Sequence, residues 1–265
     1  MSSSSGGNGI EVRGLAYLDG NIYIIQGGSK SIGVYRTEDN YLVKEIRSDR
    51  FDRLLDIVVC NSILYGLDQS YIWQIDNNSN VSEYVSLSQV SATMSASVRE
   101  TRLLVTSSRI LSKYTYRPIG KPAMSKIRLP EGLMTATLWH AQEIADGHVI
   151  AHVETGKFHR VSKIEESESK RAILEVCAYG NEAGNGNGQL SNPVYLALEP
   201  EHGHIFVADH DNQRVVVLDR NLSRVMLISA LPTGSYPNRL CYVDERKELF
   251  VGMSNGYIIG YKFTW

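Results

Sequence analysis

One short pattern recurs six times along this chain: an apolar strand, a polar turn, and a second strand ending in small or polar residues. It runs as GLAYLDGNIYIIQGG from Gly14, LLDIVVCNSILYGLDQ from Leu54 and TMSASVRETRLLVTSS from Thr93. It returns as AQEIADGHVIAHVET from Ala141, VYLALEPEHGHIFVADHD from Val194 and RLCYVDERKELFVGMSN from Arg239. Equivalent second-strand positions are Ile22, Ile63, Leu103, Val149, Ile205 and Leu249, which sets a period of roughly 40 to 56 residues, the length of four strands and their turns.

After each copy come two further alternating stretches, SIGVYR and YLVKEIR in the first unit, RVVVLD and RVMLIS in the fifth. Alternation at period 2 with Val, Ile and Tyr marks half-buried strands. Gly, Asn and Asp fill the connections, where tight turns need residues tolerant of positive φ. No segment sustains a helical period. A β-sandwich has no need of six similar units, so the pattern predicts an all-β, six-bladed β-propeller. We expect a flexible Ser/Gly tail over 1–9 and one propeller domain over 10–265.

Composition narrows the function classes. Lys+Arg 27 against Asp+Glu 29 leaves a formal net charge of −2, without the basic surplus of a typical phosphate-binding protein. Cys60, Cys177 and Cys241 lie in apolar runs, odd in number and without metal-type spacing, as for buried thiols in a reducing compartment. The opening MSSSSGGNG lacks the basic and apolar regions of a signal peptide, and no apolar run approaches a membrane span. These features point to a cytoplasmic protein with no membrane partner.

The fifth unit carries the most specific motif. In GNGNGQLSNPVYLALEPEHGHIFVADHDNQRVVVLD, a Gly-rich approach (Gly184, Gly186, Gly188) leads to Pro193, then Val207-Ala208-Asp209, Asn212, Arg214 and an apolar strand. This resembles an NHL repeat, of the kind found in the propellers of TRIM-type ubiquitin ligases. The resemblance covers the whole chain as fold but about 36 residues as motif. The second unit echoes it in Gly66-Leu67-Asp68, whereas the sixth has Met253 in place of the Asp. We expect Asp209 and Arg214 to pair across a tight turn with Asn212 in the left-handed region, holding the blade together. The 265 residues contain no RING, B-box or coiled coil, so the resemblance implies no ligase activity for them.

Propellers bind at the face that carries the loops after each second and each fourth strand. On that face we expect Arg50, Phe51, Arg53, Tyr71, Arg109, Trp139, His140, Lys157, His210 and Tyr236, with acidic neighbours such as Asp49, Asp52 and Asp68. Mixed charge with aromatics suits a protein or peptide partner. The family resemblance raises single-stranded RNA as the alternative, with bases on Phe51 or Tyr71 and Arg50, Arg53 and Arg109 on phosphates. A metal-dependent hydrolase or lyase is the third reading. Its inner-strand ligands would come from Asp56, Glu143 and Asn238, while the histidines, confined to two units, read as exposed strand or loop residues. We expect no catalytic residue, no metal and no cofactor, and hence a non-catalytic binding scaffold.

The ring must also close. The sixth unit supplies three strands (RLCYV, ELFVG, GYIIGYKFTW), and counting back from Gly14 puts a fourth near residues 1–7, which read MSSSSGG. Ser and Gly favour strands poorly. We therefore expect a three-stranded sixth blade, or one closed only by a frayed segment near Asn8 to Val12, which hints at a longer native chain.

Overall fold

A computed structural model describes residues 11–88, 93–97, 101–116, 121–166 and 173–265. Five antiparallel sheets of four strands and one of three, each in sequence order, make six blades. Blade 1 holds β1 (Val12–Leu18), β2 (Asn21–Gln26), β3 (Ser31–Arg36) and β4 (Leu42–Arg47). Blade 2 holds β5 (Asp56–Cys60), β6 (Ile63–Leu67), β7 (Tyr71–Ile75) and β8 (Val81–Ser86). Blade 3 holds β9 (Thr93–Ala96), β10 (Arg102–Ser107), β11 (Ile110–Thr115) and β12 (Ala123–Ile127). Blade 4 holds β13 (Thr137–Ile144), β14 (Gly147–Glu154), β15 (Phe158–Glu166) and β16 (Ile173–Tyr179). Blade 5 holds β17 (Pro193–Leu198), β18 (Ile205–Asp209), β19 (Arg214–Leu218) and β20 (Arg224–Ile228). Blade 6 holds β21 (Pro237–Val243), β22 (Glu248–Met253) and β23 (Ile258–Lys262).

The six first strands touch in a closed cycle, β1 to β5, β9, β13, β17, β21 and back to β1, so the sheets surround one axis. This is the six-bladed propeller that the repeat predicts. The core is correspondingly divided into six apolar seams, one between each pair of neighbouring blades. Ile25, Ile32, Phe51, Leu54 and Ile57 join blades 1 and 2, and Tyr65, Leu67, Met94 and Leu103 join blades 2 and 3. Leu104, Leu138 and Ile150 join blades 3 and 4, Val149, Leu196 and Val207 blades 4 and 5, and Phe206, Leu240 and Val251 blades 5 and 6. The closing seam is Val12, Leu15, Ile22, Val243 and Phe250. Burial fades outward: β4 and β20 leave Leu42, Val43, Val225, Met226 and Leu227 exposed.

The blade-5 motif behaves as a clamp. Asp209 is buried and accepts Arg214 Nε at 2.6 Å, Asn212 Nδ2 at 2.8 Å and the Ser191 N–H at 2.6 Å. Arg214 also donates to the carbonyls of Asn185 (2.7 Å) and Gln189 (2.9 Å), tying the Gly-rich approach to the blade. Asn212, however, lies in a short 3-10 turn, and the left-handed residue is Gln213 at φ 52°. Asn212 instead joins Asp209 to the Gly184 carbonyl, which uses its amide rather than its backbone freedom. In blade 2 Asp68 accepts the Ser70 and Tyr71 N–H groups and Trp73 Nε1 (2.6 Å), so an indole takes the place of the guanidinium.

Among the described residues blade 6 has three strands. The expected tail over 1–9 and the fourth strand near 1–7 lie outside the described residues. Among the described residues, blades 6 and 1 meet by close approach. A Cβ built on Gly252 would stand 2.5 Å from Val12 Cγ1 and 2.9 Å from Val12 Cβ. Gly252→Ala should therefore overpack this seam and lower unfolding stability by about 1–3 kcal/mol. Gly132→Ala, where a Cβ meets open space, serves as the control in the same urea titrations. Equal midpoints for both variants would show that the closing seam has room to spare.

Candidate functional site

The axis is occupied by side chains from several blades. Asp56, wholly buried at the start of β5, accepts the Ile57 N–H at 2.9 Å and, from blade 3, the Met94 N–H at 2.8 Å. From blade 5 the Tyr195 hydroxyl lies 3.2 Å from both of its oxygens. From blade 6 Arg239 Nε stands 3.5 Å away, while the rest of the guanidinium donates to the carbonyls of Leu55 and Asn238 and lies over the Tyr195 ring. His140 of blade 4 also stacks on Tyr195, at 3.7 Å.

Local strand geometry explains this convergence. The first strands of blades 1, 4, 5 and 6 each carry one extra residue, at Val12/Gly14, Leu138/His140, Pro193/Tyr195 and Pro237/Arg239. Such a bulge re-aims the following side chain. Gly14, His140, Tyr195 and Arg239 thus occupy one column, and blade 1 contributes only a glycine to it. Tyr195 and Arg239 have no place in the sequence-predicted site. The available signal is an aromatic or charged residue at the same offset in otherwise apolar strands.

Burial sets the protonation states here. It pushes the Asp56 carboxyl up to about 6, against the pull of Arg239 and the donors from Met94, Ile57 and Tyr195. Burial first, and then Asp56, raise the Tyr195 phenol well above its ordinary value. Burial, reinforced by Arg239, lowers His140 to about 3. His140 Nδ1 accepts the Leu196 N–H at 3.2 Å, which assigns the proton of the neutral ring to Nε2. His152 is likewise buried and lowered to about 3, and half-buried His148 to about 4, both chiefly by desolvation. His140 and His152 thus depart from the expected exposed histidines.

Below this plug a cavity of about 350 Å³ is lined by first strands from all six blades, with Tyr195 at one end and Tyr17, Val59, Ala96 and Glu245 near the other. Those last residues sit at the C-terminal ends of the first strands or just beyond them, so the cavity belongs to the face opposite the one on which binding is expected. The Tyr17 hydroxyl donates to Glu245 across the blade 6 to blade 1 junction.

The sequence-predicted residues divide into distinct environments. Arg50, Arg53, Arg109 and Lys157 are exposed, Lys157 paired with Glu154 at 2.5 Å. His210 is half-buried, bonded to Asp211 at 2.6 Å and stacked on Tyr236 at 5.0 Å, so this pair from blades 5 and 6 does come together. Tyr71 is half-buried against Trp73, and Trp139 is half-buried in β13, its carbonyl accepting the Thr93 hydroxyl at 2.6 Å. Phe51 is 1% exposed, edge-on to Trp73 in the seam between blades 1 and 2, which corrects its placement as an open anchor. The pattern RFDR hides this, since an apolar ring between charges reads equally as loop or plug. His140 is at the axis rather than on the rim. The inner-strand candidates diverge: Glu143 pairs with Arg102 at 3.0 Å, and Asn238 donates to Glu11.

Among the described residues two groups bring three metal-type ligands within reach of one ion: Glu199, His202 and His204, and Glu199, Glu201 and Asp244. In the second, the Lys247 ammonium already bridges Glu201 (2.6 Å) and Asp244 (2.8 Å).

No protein-family model and no curated protein sequence matches the chain. Among solved structures it is similar to hydrazine synthase from Kuenenia stuttgartiensis, with a TM-score of 0.64, 14% identity and coverage of 96% of this chain and 84% of that one. It is similar also to a catalytically inactive virginiamycin B lyase from Staphylococcus aureus solved with quinupristin, with a TM-score of 0.65, 12% identity and coverage of 96% and 80%. At these identities the likeness concerns the fold.

The buried histidines make stability depend on pH. His140 and His152 are neutral in the fold, whereas in the unfolded chain they take up protons near pH 6.5. Their contribution is complete above pH 6.5 and drains away on acidification, about 2 kcal/mol each by pH 5. Asp56 acts oppositely, because its raised carboxyl takes up a proton in the fold first, returning about 1 kcal/mol by pH 5. With His148, lowered to about 4, adding about 2 kcal/mol in the same direction, stability should fall by about 4–5 kcal/mol between pH 7 and pH 5, and His140→Gln should shrink the fall by about 2. Unfolding curves that coincide at the two pH values would refute these assignments.

Proposed function

We propose that this protein is a non-catalytic binding scaffold that recognises a protein or peptide on the face carrying the loops after the second and fourth strands. One observation carries the reading: the axial carboxylate and phenol are turned onto one another. Both Asp56 oxygens accept donors from other residues, and Arg239 and Tyr195 are held between blades. Recognition then falls to the rim, where Arg50, Arg53, Arg109 and Lys157 are exposed and Met134 (62%) and Tyr257 (66%) present apolar surface. Arg and aromatic side chains on a rigid frame are the usual anchors of protein recognition.

The NHL-type assignment is supported by the Asp209–Asn212–Arg214 clamp. Single-stranded RNA remains the alternative partner, weakened because the buried Phe51 ring offers no stacking surface. The cavity favours a second reading, a small ligand held at the axis, since about 350 Å³ lies within the range of such sites. A cytoplasmic location is supported by three free cysteines, and among the described residues no helix is long and apolar enough to cross a membrane.

Selection of a displayed random peptide library against the intact chain tests the proposal. Enriched peptides should bind the triple variant Arg53→Ala, Arg109→Ala, Lys157→Ala at least tenfold more weakly. Its unfolding stability should stay within about 0.5 kcal/mol per site, as for exposed loop positions. Peptides that bind the variant equally well would overturn the choice of face. Single-stranded RNA bound with a steep salt dependence would replace the peptide reading.

A further inference from the structure

The strongest unassigned cluster lies off the axis, in the turn between β17 and β18. Its sequence is Glu199-Pro200-Glu201-His202-Gly203-His204. The Glu199 N–H donates to the His204 carbonyl at 2.8 Å, so these residues close the hairpin as cross-strand neighbours whose side chains share a face. Gly203, at φ 78°, lets the chain reverse tightly enough for its N–H to reach the Glu199 carbonyl at 3.1 Å. That reversal brings the His202 ring back over the same carboxylate.

Glu199 Oε2 stands 3.4 Å from His202 Nδ1 and 3.4 Å from His204 Nδ1, and the three ligand atoms lie within 4.8 Å of one another. A tetrahedral ion with bonds of about 2.1 Å has ligand–ligand edges of about 3.4 Å. The carboxylate is also held in place. Glu199 is fully buried, and its oxygens accept the Glu201 N–H at 2.7 Å and the His202 N–H at 2.8 Å. His204 packs against Trp265, with ring centroids 4.4 Å apart, and lies 5.6 Å from the His202 ring. Oriented outer contacts of this kind characterise metal ligands. His204 Nδ1 is enclosed and has no hydrogen-bond partner, a state that costs about 1–3 kcal/mol unless something else satisfies it.

We propose that Glu199, His202 and His204 form a binding site for a divalent transition ion of the zinc type, with an open fourth position. The donor set, two imidazoles and one carboxylate, suits such an ion better than calcium or magnesium, which take oxygen ligands. The His202 side chain is 42% exposed, giving the ion access from solvent. The cluster adjoins a pocket of about 330 Å³, which Glu199 and His202 line together with Glu143, Asp146 and Arg220. The site revises the expectation that the chain holds no metal, and it stands apart from the rim proposed for partner recognition.

Cobalt(II), a spectroscopic substitute for zinc, supplies the test on the full chain after chelator treatment. Titration should give one saturable equivalent with the visible absorption of a tetrahedral site, quenching of Trp265 fluorescence, and displacement by zinc. His202→Ala removes a partly exposed ring, so the fold should survive in chelator, while cobalt affinity falls at least tenfold. Glu199→Gln and His204→Ala should do the same, and His210→Ala should change nothing. No saturable cobalt uptake by the folded chain would overturn the proposal, as would uptake undiminished in His202→Ala. The second outcome would mark the cluster as an ordinary imidazole–carboxylate contact.

Discussion

A single buried carboxylate organises the centre of this molecule. Asp56 is wholly enclosed; its donors come from blades 2, 3 and 5, and blade 6 adds the Arg239 charge at 3.5 Å. A buried charge is costly unless it is paired and hydrogen-bonded. The carboxylate therefore demands that Met94, Tyr195 and Arg239 arrive at one point, and the ring must close for them to do so. Such a pair adds little net stability over an apolar isostere, yet leaving half of it unpaired costs about 3–5 kcal/mol. Its effect is to single out one arrangement of blades.

The six seams supply the driving force that this lock directs. Each blade buries apolar residues against both neighbours, so no blade has a complete core alone. Repeat architectures share this dependence on neighbours, and in a closed ring it leaves no exposed end. The junction of blades 6 and 1 relies on fit, through Gly252 against Val12, and on the Tyr17–Glu245 bond. With the axis filled on one side, the rim loops, the opposite cavity and the blade-5 turn remain as the places where chemistry can meet solvent.

The parts legible in the sequence are those governed by neighbours along the chain. Alternation and turn residues define each hairpin, so Ile22, Ile63, Leu103, Val149, Ile205 and Leu249 all fall in second strands. The Asp209–Arg214 pair spans five positions and is equally readable. What escapes is long-range: Tyr195 and Asp56 meet across 139 positions, and Arg239 reaches Leu55 across 184. Phe51 shows another limit, since a loop ring between charges is buried only because a neighbouring blade supplies Trp73. At Gln213 the left-handed position is set by the 3-10 turn before it, which moves it one residue past the Asn that favours it. In the blade-5 turn the histidines are visible, but their meeting on Glu199 depends on hairpin register and on φ at Gly203.

A double-mutant cycle on Asp56→Asn and Arg239→Met, read by urea unfolding, tests the axial lock most directly. The account predicts that each single variant is destabilised by several kcal/mol, about 3–5 for a buried pair broken on one side. It predicts that the double variant recovers part of that loss, with a coupling energy of about 1–3 kcal/mol. Single effects near zero that simply add would contradict it, because the blades would then be positioned by their apolar seams alone.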